Sequence, residues 1–219
     1  MTFLLLILAI LPSFLLACWL YFQDLHQKEH TRHLVYALGV GVLSVLLTLA
    51  VASLLPDIQS AFYQAFIVAA TVEESAKFIV FMIFIYPKSY FNEPYDGILF
   101  VAFVGLAFAT IENVVYVLDG GLSTAIVRMF MAVPAHTIFG ICIGYFAGLA
   151  KFNASKSLIS KQLTLAKGLV LAIVLHGLYD WFLMQNHHEA LGLMSCLIVF
   201  FGFKACQKAI AIHQNKSLV

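Results

Sequence analysis

Glu73, Glu74 and Lys77 stand within TVEESAKFIVFMIF, residues 71–84, in the middle of an otherwise apolar run. An acid or lysine at the centre of a membrane helix costs about 2.5 to 3.5 kcal/mol on insertion scales. Three in one span therefore cost on the order of 8 kcal/mol unless they pair with each other and with groups on other helices. On a helix Lys77 follows Glu73 by four residues and Glu74 by three, so it reaches either carboxylate. Two adjacent carboxylates cannot both ionise cheaply in a low dielectric unless a cation compensates one of them. A pair held in that balance is suited to acid/base work near neutral pH.

Other apolar runs carry matching residues. Glu112 and Asn113 lie in FATIENVVY, His136 in VPAHTIFGICIGYFAG, and His176 with Asp180 in LHGLYDW. The last two are four apart on one helix face, where an aspartate orients an imidazole and selects its tautomer. His136, Gly140, Gly144 and Gly148 recur every four residues. That face is suited to close approach of a second helix, which puts His136 on a buried seam rather than toward lipid. Each residue also has a purely structural reading: Glu112 as a partner for Arg128, His136 as an interhelical donor, Asp180 as a solvated interfacial acid. The run His187, His188, Glu189 reads as a polar loop rather than a metal site.

The elements that must position these residues are membrane helices. The chain has 219 residues, 63% hydrophobic and 11% charged, with mean hydropathy +0.97. Roughly a quarter of a globular sequence is charged, so this composition excludes a soluble domain. A net charge of +1 provides no basic excess for nucleic acid. Cys18, Cys142, Cys196 and Cys206 show no metal-ligand spacing and read as small core or lipid-facing residues. The first apolar run lacks a Lys/Arg-rich start and a small-residue cleavage site, so it reads as a retained span.

Breaking the chain at its polar clusters predicts seven spans, roughly 3–22, 34–55, 59–86, 97–118, 124–150, 168–186 and 190–207. Counting Lys and Arg in the connecting segments places the N-terminus outside and the C-terminus in the cytoplasm. That orientation puts Lys28, Arg32, Lys88, Lys151, Lys156, Lys161, Lys167, Lys204, Lys208 and Lys216 on the cytoplasmic side, ten of the twelve Lys and Arg residues. Lys77 and Arg128 fall inside predicted spans. At about 1.5 Å rise per residue, Glu73 lies roughly 20 Å below the outer surface, the two histidines roughly 15 to 18 Å, and Glu112 and Asp180 roughly 9 Å. One shared, water-accessible cavity in the outer half of the bilayer satisfies them all. The expected architecture is all-α, a polytopic helical bundle forming one membrane-embedded domain over residues 1–219, with its motif-bearing core at about 59–186.

Taken in order, these residues resemble the PrsW intramembrane proteases, distant relatives of the CAAX-processing and bacteriocin-processing membrane proteases. The family pattern is EExxK, FxxxE, a histidine on a later span, then HxxxD. Here it reads Glu73-Glu74-Ser75-Ala76-Lys77, Phe108 to Glu112, His136, and His176 to Asp180. CAAX-type enzymes carry a histidine where this chain has Glu112, which favours the PrsW branch. The resemblance implies hydrolysis of a peptide bond in a membrane-anchored protein in a bacterial cell membrane, as when an anti-sigma factor is cut to start a stress response. Glu73, Glu74, His136 and His176 would be catalytic, with Lys77, Glu112, Asn113 and Asp180 in support. One glutamate, assisted by a histidine, would activate a water; the other histidine would polarise the carbonyl.

Alternatives stay open at this level. A Zn2+ version would use Glu73, Glu74, His136 and His176 as ligands and base, although there is no HExxH. A proton or ion transporter would explain intramembrane acids and histidines, but the chain shows no repeat and Pro134 has no counterpart. A non-catalytic scaffold is disfavoured by the complete set of acids and histidines.

Overall fold

The computed structural model describes residues 2–153, 157–185 and 189–217, and every regular element among them is helical. The elements are α1 (Thr2–Gln23), α2 (Thr31–Ala52), a π-helical segment (Tyr63–Thr71), α3 (Val72–Phe84), α4 (Pro94–Phe130), α5 (Ala132–Phe152), α6 (Leu158–Leu183) and α7 (Glu189–Ser217). Among the described residues, five helical stretches are long and apolar enough to cross a membrane: Thr2–Gln23, Thr31–Ala52, Pro94–Phe152, Leu158–Leu183 and Leu191–Lys216. The third of these holds both α4 and α5. The HHE run at 187–189 falls outside the described side chains.

α4 and α5 form the centre of the bundle. In their most apolar stretch 72% of the residues are buried, against 17% for α6 and for α7. Large apolar side chains such as Phe3, Phe14, Leu46, Phe130 and Phe201 cover the outside. That pattern fits a protein solvated by acyl chains, where helix association rests on close packing and interhelical hydrogen bonds rather than on exclusion of water.

The glycine face of α5 meets α4 backbone to backbone. A Cβ at Gly144 would lie 2.2 Å from the Gly97 carbonyl oxygen, one at Gly140 would lie 3.0 Å from Cα of Ala102, and one at Gly148 would lie 2.4 Å from the Pro94 carbonyl. The same seam carries His136, whose carbonyl would be 3.1 Å from a Cβ at Gly105. The partner helix of the predicted seam is thus α4. On its other side α4 is riveted to α1 by Tyr95 Oη donating to the Leu20 carbonyl and Asn113 Nδ2 donating to the Ala9 carbonyl, both at 2.8 Å.

α4 starts with a capping box. The Glu93 side chain accepts from the backbone at the third helical position, Asp96 Oδ2 accepts from the Glu93 N–H, and Pro94 occupies the first turn, where no N–H is needed. α1, α3, α5 and α7 end at this same face: Lys151 Nζ donates to the carbonyls of Tyr86 and Lys88, Gln214 donates to the Gln23 carbonyl, and His213 Nδ1 contacts the Pro94 carbonyl.

Two predicted spans are corrected. The run 59–86 is not one α-helix: its first part is the π-helical segment, in which Thr71 Oγ1 donates to the Phe66 carbonyl five residues back. A hydropathy profile carries no signal for that widened turn, which is frequent at functional sites. The run 124–150 is also two pieces. Gly121 adopts φ 73°, a conformation open to glycine, so residues 122–130 form a short helix set off from the rest of α4, and α5 begins only at Ala132. Pro134 therefore sits in the first turn of α5, where proline is tolerated, rather than inside a span.

Candidate active site

α3 presents Glu73, Glu74 and Lys77 to the interior, and all three are buried. Lys77 Nζ donates to Glu74 Oε1 at 2.7 Å, to Glu73 Oε2 at 3.4 Å and to His136 Nδ1 at 3.2 Å. The Phe108 ring lies beneath the ammonium, 4.0 Å from its centroid, so the phenylalanine of FxxxE packs directly on the lysine of EExxK.

Each histidine bridges an inner and an outer group. His136 Nδ1 accepts from Lys77, which leaves Nε2 to carry the ring proton and donate to Glu112 Oε2 at 2.9 Å. His176 Nδ1 contacts Glu74 Oε1 at 2.8 Å, and its Nε2 contacts Asp180 Oδ2 at 3.2 Å. With a carboxylate on both sides, His176 needs a proton on each nitrogen unless one carboxyl carries it. The two rings lie 5.3 Å apart, nearly perpendicular, and Phe139 stacks on His176 at 4.8 Å.

Neighbouring packing orients His176 further. The Phe66 ring, on the π-helical segment, lies where a Cβ at Gly177 would be 2.3 Å from Cδ1. Only a residue without a side chain admits that contact beside the histidine.

Glu112 is partnered by two cations or donors. Its Oε2 accepts from His136 and, at 2.9 Å, from Arg128 Nη2; Arg128 Nε in turn donates to Asn113 Oδ1 at 2.9 Å. Asn113 faces α1 through its amide and meets the cluster only by way of Arg128. Charge patterning flagged Arg128 as an arginine inside a predicted span, yet its place at the site depends on the Gly121 break, which lets residues 122–130 turn back over α4.

A cavity of about 240 Å³ opens over the cluster, lined among others by Glu112, Tyr116, Arg128, His136, His176 and Asp180. Both imidazoles line it. Glu74 is wholly buried, with Oε1 engaged by Lys77 and His176 and Oε2 lacking a hydrogen-bond partner among the described residues. Glu73 is the less committed carboxylate, its side chain 12% exposed and tied only by the longer contact to Lys77.

Glu73, Glu74, His136 and His176 each offer a donor atom within 4.8 Å of the others. Two carboxylates and two imidazoles are a donor set suited to a tetrahedral divalent ion, whose bonds of about 2.0 to 2.2 Å would draw them closer together. The orphaned Glu74 Oε2 adds an unspent acceptor to that set.

Residues 29–205 match the family described as PrsW family intramembrane metalloprotease. The chain is 31% identical over 209 residues to Protease PrsW of Bacillus subtilis, covering 93% of this chain and 94% of that protein. It is 34% identical over 178 residues to Protease PrsW of Geobacillus kaustophilus, covering 80% and 77%, and 29% identical over 203 residues to Protease PrsW of Clostridioides difficile, covering 88% and 84%. No solved structure matches the chain. With its apolar helices and bacterial relatives it is a multi-pass bacterial membrane protein, and it belongs to the PrsW family of intramembrane proteases.

Proposed function

We propose that the chain is an endopeptidase that hydrolyses a peptide bond of a membrane-anchored protein, of the anti-sigma-factor kind, with a water activated by the Glu73–Glu74 pair. The observation that carries this reading is the meeting of two buried carboxylates, a lysine and two bridged imidazoles beneath one polar cavity.

Glu73 is the general base, because Glu74 Oε1 is already held by Lys77 and His176. Glu73 takes a proton from water as the water oxygen bonds to the scissile carbonyl carbon. His136 shares its Nε2 proton, held by Glu112 Oε2 in the resting site, with the developing oxyanion, and preorganised donors of this kind contribute about 2.7 to 4 kcal/mol each. The carbon–nitrogen bond breaks as the proton passes from Glu73 to the leaving amine, giving a free carboxyl and a free amino terminus. Lys77 holds both carboxylates in place, and Asp180 orients His176 through Nε2.

Where a divalent ion is bound, Glu73, Glu74, His136 and His176 would hold it. It would supply Lewis-acid polarisation of the carbonyl and a more acidic water.

The test compares membrane-protein fragments in cells carrying wild type, Glu74→Ala or His176→Ala. Loss of one specific fragment in both variants, with the folded protein retained in the membrane, is the expected result. Unchanged cleavage in either variant overturns the assignment.

A further inference from the structure

Three of the four residues in the divalent-ion set are already engaged by one cation of the chain itself. Lys77 Nζ lies 2.7 Å from Glu74 Oε1, 3.4 Å from Glu73 Oε2 and 3.2 Å from His136 Nδ1. An ammonium has three N–H donors, and here each has an acceptor. The side chain is 2% exposed and seated on the Phe108 ring.

A divalent ion bound to the same atoms at about 2.0 to 2.2 Å would stand almost where the ammonium does. Two positive centres that close, in an interior of low dielectric, repel strongly, and they would compete for the same lone pairs. The geometry points to Lys77 as the resident cation of this donor set, so that a divalent ion enters only in exchange for the Lys77 ammonium. Lys77 then does more than pair with acids: it discriminates against adventitious metal at a site whose donors would otherwise take it.

This inference rests on the protease reading only for its biological meaning, and its test reads occupancy rather than cleavage. Full-length protein in detergent, as wild type, Lys77→Met and Lys77→Arg, is titrated with Zn2+ by equilibrium dialysis, and thermal unfolding is followed with and without the ion. Lys77→Met should bind one equivalent at least tenfold more tightly than wild type and gain a Zn2+-dependent rise in Tm. That gain should vanish in Lys77→Met/Glu74→Gln. Lys77→Arg, which keeps a cation in place, should bind no more tightly than wild type. Equal or weaker binding by Lys77→Met, or tighter binding by Lys77→Arg, overturns the inference, as does absence of binding in every variant.

A measurement on wild type guards against a Lys77→Met protein that fails to fold. Acylation of Lys77 by a small amine reagent, read by mass spectrometry, should rise when saturating Zn2+ expels the side chain. Labelling that stays unchanged in Zn2+-saturated protein also overturns the exchange. If Lys77→Met tightens Zn2+ binding while wild type cleaves nothing, the protease reading fails and the exchange stands.

Discussion

His136 Nε2 and Glu112 Oε2 lie 2.9 Å apart, joining a residue in the first turn-and-a-half of α5 to one deep in α4 across the glycine seam. The contact selects the tautomer of the imidazole whose other nitrogen meets Lys77. Glu112→Ala is expected to lower kcat by about 10- to 100-fold, the usual effect of losing an orienting partner. Glu112→Gln keeps an acceptor and should lose less. Kinetics with a reconstituted substrate check the order; equal activity of Glu112→Ala and wild type would sink this role.

Arg128 holds the short helix after Gly121 against α4 through Glu112 and Asn113. Charged hydrogen bonds of this kind contribute about 1.5 to 3 kcal/mol. Arg128→Ala should free that helix, so a cysteine placed at Thr124 on the cavity wall is expected to react faster with a maleimide in the Arg128→Ala background. Arg128→Lys should react at an intermediate rate.

The α4–α5 seam has no room for a methyl group. Overpacking typically costs about 1 to 3 kcal/mol, and a Cβ at Gly144 would meet the Gly97 carbonyl at 2.2 Å. Gly144→Ala should lower Tm in detergent and weaken cleavage as α5 moves away with His136. An unchanged Tm would mean that the seam relaxes without loss.

Gly177→Ala is a subtler case, since the obstacle is the Phe66 ring rather than backbone. Activity should fall more than stability, and Phe66→Ala in the same chain should restore part of it. No rescue by the double substitution would detach the π-helical segment from the placement of His176.

Chelation bears on the chemistry directly. With Lys77 as resident cation, dialysis against a strong chelator is expected to leave cleavage intact, checked against metal content of the same preparation. Activity lost on dialysis and restored by one equivalent of Zn2+ would assign the reaction to the metal-bound form.

Legibility in the sequence was greatest where geometry is local. Lys77 reaches Glu73 and Glu74, and Asp180 reaches His176, because residues three and four apart share a helix face whatever the tertiary fold. The glycines every four residues in α5 likewise announced a close helix partner, without saying that it was α4.

Hydropathy was a poorer guide to how elements begin and bend. An apolar run looks the same whether its turns are α or π, so Tyr63–Thr71 was invisible, and the two pieces around Met131 merged into one predicted span.

Composition and the order of ionisable residues determined an all-α membrane protein and named its acids and histidines, since lipid admits such groups only where they serve or pair. Only the tertiary structure decided that Lys77 meets His136 across 59 residues, that Glu74 meets His176 across 102, and that Arg128 reaches Glu112. Those contacts depend on the rotation and depth of each helix. Both come from helix packing, of which the glycine seam and the break at Gly121 are two parts, and side-chain polarity along the chain does not encode it.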